Sequence, residues 1–437
     1  MQRTIDRYIS QHIHLPYGAK VLIALSGGAD SVALLHIMRR LGYECIAVHC
    51  NFHLRNEESM RDQHFVEELC KRLDTQLTVV DFNTEEYARE NKVSIEMAAR
   101  SLRYNVFEEI RRQQAAVAIA VAHHRDDTAE TLLLNLIRGC GIKGLHGIRP
   151  RNGHIVRPLL AVGRNDILQY LKKIGEDYVT DSSNLKCDYT RNKVRLELIP
   201  LMAQINPSIT QSLAETADRI AEAEEIYNKA IEESIGRVFK KDIIDIEALK
   251  KECAPKTLLY EILSPLGFNS AQVADIFNNI DNDSGRRFKA EPWVVVKDRN
   301  KLIIVPNSIP SNNPIVLPQE GEAETPDGFL IVKKGEFNGI IPKQSNIATF
   351  DADKVRLPLT VRVARNGDRF HPFGMRGTKL VSDYLTDRKR NIIEKEHQLV
   401  VTDAQGEIIW LVNERPSALC SIDKKTENTI SIEYKQK

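Results

Sequence analysis

Six consecutive residues, Ser26-Gly27-Gly28-Ala29-Asp30-Ser31, interrupt an otherwise apolar run over 21–38. The stretch before them, "VLIAL", is short and branched-aliphatic, which suits a strand buried on both faces of a parallel sheet, and Val32, Leu34, Leu35 and Met38 then recur at helical spacing. The hexapeptide therefore falls at a strand-to-helix turn, where the first helical N–H groups lack partners and point outward with the positive end of the helix dipole. Gly27 and Gly28 let the backbone approach a bulky anion, so the turn has the makings of a phosphate cradle. A Walker-type loop would carry Lys followed by Ser or Thr at the helix start, and Asp30-Ser31 stand there instead. A carboxylate cannot neutralise phosphate, but it suits a Mg²⁺ ion that does, which assigns Asp30 to the metal. The competing reading is an ordinary glycine turn with Asp30 and Ser31 as helix caps.

A second cluster lies in "AHHRDDTAETLLLNLIRG", residues 122–139. If Asp126 or Asp127 begins a helix, then Asp127, Glu130, Leu134 and Arg138 share one face. Two carboxylates and an arginine then line a stripe at a strand end, although acidic residues in a first turn and a basic one in the last are also plain dipole chemistry. His123 and His124 are adjacent on the predicted strand, point to opposite faces and so do not share one ion; with Asp126 they are expected to hydrogen-bond near nucleotide or substrate.

Basic residues make two further clusters. Arg191, Lys193 and Arg195, with Asn192 between them, stand at the beginning of a predicted helix, where they oppose the dipole, so an anion should repay the placement and phosphate is the natural candidate. Residues 361–392 hold eight Lys or Arg against three Asp, with Phe370, Phe373 and Tyr384 interleaved and Gly367, Gly374 and Gly377 keeping the backbone accessible. Arg369, Arg376, Lys379, Arg388, Lys389 and Arg390 are the RNA-binding candidates of that block; a solvated basic face is the alternative for both clusters.

The elements that must position these groups alternate. "ECIAVHC" (44–50) reads as a strand, 60–73 as an amphipathic helix, 76–82 as a strand, "SIEMAARSLRYNVFEEIRRQ" as a long helix, 115–124 as a buried strand and the stretch from Asp126 as a helix closed by Gly139. Such alternation predicts an α/β fold with a doubly wound parallel sheet, whose ligand crevice lies at the carboxyl ends of the strands. The texture changes near Pro200 to a long charged helix, a strand pair at 293–306, a Pro/Asn/Ser-rich connection at 307–328 and a β-rich remainder. The expected domains are 1–204, catalytic; 205–345, mainly helical with the strand pair and linker; and 346–437, a small basic α+β domain whose basic block is the expected RNA surface.

With 437 residues the chain is long enough for two or three domains, and a net charge of +1 confines any nucleic-acid surface to local patches. Its seven cysteines (45, 50, 70, 140, 187, 253 and 420) include no C-x-x-C pair, which argues against a disulfide framework and a zinc site. The first twenty residues are too polar for a signal peptide, and no run approaches the roughly 20 apolar residues that span a bilayer. A cytoplasmic protein without membrane contact is expected; a homodimer is admitted, not required.

"SGGADS" resembles the SGGxDS signature of the PP-loop ATP pyrophosphatases, which cleave ATP between the α- and β-phosphates. Together with "HCNFHLR", "AARSLRYNVFEEI", "HHRDDTAETLLLNLIRG", "RPLL" (157–160), "DSSN…YTRNKVRLELIP" and "GDRFHPFGMRGTKLVSDYLTDRKR", it is similar to the tRNA(Ile)-lysidine synthase family. The resemblance covers most of the first two hundred residues and the block at 367–390; about 205–345 carries no matching motif. It implies that ATP adenylates O2 of the wobble cytidine of an isoleucine tRNA with anticodon CAU, that L-lysine then attacks C2 through its ε-amine, and that AMP leaves. The modified tRNA then reads AUA and accepts isoleucine. On this basis Ser26, Gly27, Gly28, Ala29, Asp30 and Ser31 bind ATP, with Asp30 holding Mg²⁺, and Asp127 and Glu130 orient and deprotonate the lysine amine. Arg191, Asn192 and Arg195 contact tRNA or the α-phosphate, and Arg100 and Arg103 support one of these. The nearest competing reading is a PP-loop tRNA thiolase, which commonly employs paired cysteines; a more distant one is a non-catalytic nucleotide- and RNA-binding module.

Overall fold

The computed structural model describes residues 1–54, 57–180, 190–307 and 313–437. Arg55 of "HCNFHLR", the "DSSN" stretch with Cys187, and 308–312 of the Pro/Asn/Ser-rich connection lie outside the described residues. The chain divides into two compact units, Met1–Lys229 and Ala230–Lys437.

The first unit is built on β1 (Lys20–Ala24), α1 (Ala29–Arg40), β2 (Glu44–Asn51), α2 (Glu57–Arg72), β3 (Gln76–Asp81), α3 (Ile95–Gln113), β4 (Ala118–Ala120), α4 (Arg125–Ile137), β5 (Arg151–Asn152), β6 (Ile155–Val156) and α5 (Arg164–Ile174). The strands form one six-stranded sheet in the order β3-β2-β1-β4-β6-β5, parallel except for the β5–β6 hairpin at its edge. Alternation along β1 explains why its sequence is apolar throughout: Val21, Ile23 and Leu25 enter the core formed with α1, α2 and α5, while Leu22 enters the opposite core with Phe107 and Ile110 of α3. Each such side chain stabilises the fold by about 1.5–3 kcal/mol. A doubly wound sheet is what the alternating pattern predicts. The order reverses between β1 and β4, and at that switch point the loops after the two strands part to leave a crevice.

The strand expected over 115–124 is shorter. Ala118–Ala120 pair with β1, Val121 N–H still reaches Val156 O at 2.9 Å, and the chain then turns so that His124, in extended conformation, becomes the N-cap of α4. The helix thus begins at Arg125, one residue before the expected start, and Gly139 closes it with φ 75°. Helix Ile209–Val238 is the long charged helix of the sequence. No helix among the described residues is long and apolar enough to cross a membrane.

In the second unit the strand pair Trp293–Asp298 and Lys301–Pro306 is the centre of a five-stranded antiparallel sheet, completed by Phe239–Lys240, Ile243–Asp245 and Arg287–Ala290. Helices Ile246–Lys251, Pro255–Leu263 and Ser270–Asn278 share its core through Leu249, Leu259 and Ile276. The remainder forms a five-stranded and a four-stranded antiparallel sheet around Trp410, Phe350 and Ile432, with a two-stranded pair of Arg369–Phe370 and Lys379–Leu380. Part of the expected linker belongs to these sheets. Ile315–Val316 pairs with Thr360–Val363, and Gly321–Thr325 pairs with Gly328–Glu336, which itself pairs with Asn428–Gln436. The strands therefore do not divide at 345; Pro and Gly there mark tight turns between short strands rather than a free connection.

Candidate active site

The hexapeptide joins β1 to α1. Gly27 has φ 87°, and a Cβ there would stand 2.7 Å from Val179 Cγ2, so both its conformation and its surroundings exclude a side chain. Ser31 Oγ donates to Gly28 O at 2.9 Å and accepts from Ser26 N at 3.2 Å, which ties the loop back onto the helix. The N-cap is Gly28, without a side-chain cap. The capping reading of Asp30 and Ser31 therefore fails, and the first N–H groups of α1 remain open to an anion.

Asp30 stands at the mouth of this loop. One oxygen, Oδ2, is ion-paired with Arg164 at the start of α5 and lies 3.9 Å from His124 Nε2; the other, Oδ1, is buried without a partner. Burial pushes the carboxyl above its ordinary range, against the pull of His124 and Arg164. A partnerless buried carboxylate oxygen beside an anion cradle fits a hard divalent cation, and a single carboxylate completed by substrate phosphates is the arrangement Mg²⁺ favours.

Asp127 and Glu130 project from α4 into the same cleft and are among its least exposed charged groups, Glu130 at 2%. Their partners are the basic residues of "YTRNKVR". Arg191 donates to Glu130 Oε2 at 2.8 Å and to Asp127 Oδ1 at 3.1 Å; Arg195 donates to Glu130 Oε1 at 2.6 Å and reaches Asp127 Oδ1 at 3.4 Å. The anion that repays basic residues at a helix start is thus the protein's own carboxylate pair, rather than the expected phosphate. Asn192 lies between the two arginines on the helical turn Thr190–Lys193. Asp127 Oδ2 also accepts from His124 N at 2.9 Å. Burial alone would raise the Asp127 carboxyl, but His124, that N–H and Arg191 hold it below its usual value.

His123 and His124 separate, as their adjacency implies. His124 turns into the cleft between Asp30 and Asp127, and His123 Nδ1 accepts from Arg157 Nε at 3.1 Å. Since arginine only donates, the His123 ring proton must sit on Nε2. Burial first, then nearby Arg157, Arg191 and Arg100, push the His123 pKa down to about 4. Asp126 accepts from Arg164 N at 3.0 Å and so ties α5 to α4. Arg138 does not join the carboxylates: it is the exposed C-cap of α4, about 16 Å along the axis from Asp127. Arg100 and Arg103 stand on α3, over the rings of Tyr104 and Phe52.

Together Ser26, Gly28, Asp30, His124, Asp127, Glu130 and Arg195 line a cleft of about 550 Å³ at the switch point, with Asp62, Arg164 and Tyr178. Arg164 and Arg157 were not singled out by sequence reasoning; Arg164 follows the Gly163 N-cap of a new helix, and Arg157 opens "RPLL". Among the described residues no cysteine lines the cleft, and burial pushes the Cys45 and Cys50 thiols up to about 12, which keeps both protonated.

The C-terminal basic block is less free than its composition suggests. Arg388 and Arg390 both pair with Glu414, which is 2% exposed, Lys379 pairs with Asp387 and Arg362 with Asp368. Glu414 lies outside residues 361–392, so the positive excess of the block in space is smaller than that of the segment alone. Arg369, Arg376 and Lys389 are exposed.

A PP-loop domain matches residues 1–202 and a TilS substrate binding domain matches 239–307. Three relatives bear the name tRNA(Ile)-lysidine synthase. That of Bacteroides thetaiotaomicron is 49% identical over 98% of this chain and 99% of its own. That of Parabacteroides distasonis is 44% identical over 99% and 100%. That of Porphyromonas gingivalis is 39% identical over 93% and 92%. Likeness of this extent over the whole chain, with the anion cradle and the carboxylate pair meeting in one PP-loop cleft, leads to one conclusion: the chain belongs to the tRNA(Ile)-lysidine synthase family.

Proposed function

We propose that this chain is an ATP-dependent ligase that joins L-lysine to C2 of the wobble cytidine of tRNA(Ile) with anticodon CAU, through an adenylated tRNA, releasing AMP and pyrophosphate. The observation that carries the reading is the meeting of the cradle at 26–31 with the carboxylates Asp127 and Glu130 in one cleft of about 550 Å³, a volume that suits a nucleotide with a second small substrate.

The open N–H groups of α1 receive the phosphates of ATP, and Asp30 Oδ1 holds Mg²⁺, which offsets charge on the phosphates when bound. Arg164 keeps Asp30 oriented. Adenylation places AMP on the cytosine O2, and lysine Nζ then attacks C2, so the C2–O2 bond breaks and AMP departs. Free lysine has an ammonium pKa of about 10.4, so only about one molecule in a thousand is nucleophilic near neutral pH. Asp127 and Glu130 hold that ammonium and supply the proton acceptor. Because Arg191 and Arg195 occupy the same carboxylates, the arriving amine displaces part of their contact. In this reading Arg369, Arg376 and Lys389 contribute to a tRNA surface in the basic block, with any share from Lys379, Arg388 and Arg390 limited by their acidic partners.

Incubating the purified chain with ATP, labelled lysine and total tRNA, followed by nucleoside analysis, tests the proposal. Labelled lysidine with equimolar AMP and pyrophosphate is expected. Sulfur incorporation, or ATP binding without turnover, would move the chain to the thiolase or binding-module reading.

A further inference from the structure

The motif "HCNFHLR" has no role in the chemistry above, yet its aromatic residue occupies a telling position. Phe52 follows β2 and Phe82 follows β3, both at the carboxyl edge of the sheet where the cleft opens. Their rings stack at 5.2 Å with planes 15° apart, and the Arg103 guanidinium lies 5.2 Å from the centre of the Phe52 ring. The loops beneath are tied together: Phe82 N donates to Asn51 O at 2.9 Å, Thr84 Oγ1 donates to Phe52 O at 3.3 Å, and His53 Nε2 meets Asp81 at 2.7 Å. One turn back along α3, Arg100 covers Tyr104 at 5.2 Å, and its charge acts on His123, which precedes the carboxylate helix. Both rings are half-buried and both arginines are exposed. Neither arginine has an acidic partner among the described residues.

We propose that the column Arg103–Phe52–Phe82 is a stacking platform for an unpaired nucleotide of the RNA substrate, one flanking the nucleotide that enters the cleft. Stacked rings offer a flat face to a base, a guanidinium plane extends it, and the uncompensated cations at Arg100 and Arg103 meet phosphate. An apolar protein partner would leave those cations buried and unpaired, which is costly. Cross-tied loops fix the platform before binding, so ordering it costs little. The proposal rests on the lysidine-forming reading for the identity of the RNA, but its test does not.

The test uses the full chain and a CAU anticodon stem-loop RNA carrying 2-aminopurine at each loop position in turn. Quenching at one flanking position is expected in the wild type. It should be lost in Phe52→Ala and Arg103→Ala, with affinity falling about 5- to 100-fold, and retained in Phe52→Tyr. ATP binding should be unchanged in both Phe52 variants. Arg103 is exposed, so Arg103→Ala keeps the test valid even if Phe52→Ala misfolds. Unaltered quenching and affinity in Arg103→Ala would overturn the platform, as would a Phe52→Ala variant that binds RNA normally but changes oligomeric state, which would mark a contact between copies. Lysidine formation by the wild type, measured alongside, reports separately on the reading of function.

Discussion

Arg195 Nε donates to Glu130 Oε1 at 2.6 Å, and Arg191 binds the other oxygen of the same carboxylate at 2.8 Å. A buried carboxylate is thereby held by two partly exposed guanidiniums in the position assigned to the lysine amine. Replacing both arginines with alanine strands Asp127 and Glu130, and loss of such partners costs about 3–5 kcal/mol. The melting temperature of Arg191→Ala/Arg195→Ala should fall by roughly 6–20 °C at about 2–4 °C per kcal/mol. Unchanged melting would mean the pairs carry no stability.

Glu130→Gln keeps the size and loses the charge, so it separates the two chemical steps. Adenylated tRNA should form and accumulate while lysine transfer slows, and rapid quench with α-labelled ATP measures both. Equal loss of intermediate and product would move Glu130 away from the amine and toward ATP.

Folding raises the Asp30 carboxyl above its ordinary range, so its charged form is disfavoured by the native state and its contribution to stability falls as pH rises through that range. Asp30→Asn should therefore melt no lower than the wild type at neutral pH, yet fail to adenylate tRNA. Normal adenylation in this variant would remove Asp30 from the metal.

His123 sets a pH dependence of the opposite sign. Its folded pKa of about 4 lies below the ordinary value of 6.5, so the unfolded chain binds more protons between those values. The stability it contributes is present above pH 6.5 and is lost as pH falls towards 4. His123→Gln should show a shallower loss of melting temperature over that interval, while an identical profile would show that His123 is protonated freely in the native state.

The C-terminal block separates into two sets. Arg388→Gln/Arg390→Gln leaves Glu414 buried without its partners and should lower stability. Arg369→Gln/Arg376→Gln/Lys389→Gln changes exposed residues, so stability should stay within about 0.5 kcal/mol. In that triple variant tRNA affinity should drop and the slope of log affinity against log salt should flatten by about two. A salt slope equal to that of the wild type would return these residues to a solvated surface.

Local pattern was sufficient for the sheet and for the glycine turn that opens α1. A continuous apolar strand followed by glycines and helical spacing has one economical fold, and it places Asp30 in the first turn of α1. The candidate carboxylates were equally legible, because Asp127 and Glu130 share a helix face whatever surrounds them. Pairings between distant segments were not. That Arg191 and Arg195 close on Glu130, 61 and 65 residues away, that Arg164 seizes Asp30, and that Glu414 neutralises Arg388 and Arg390 depends on where the chain returns in space. Charge counted along a window misses partners from outside it. For the same reason the segments at 315–316 and 321–325, rich in turn residues and too short to show a period, read as linker until the strands they pair with were known. Side-chain chemistry and periodicity are properties of the sequence; which charge meets which is a property of tertiary packing alone.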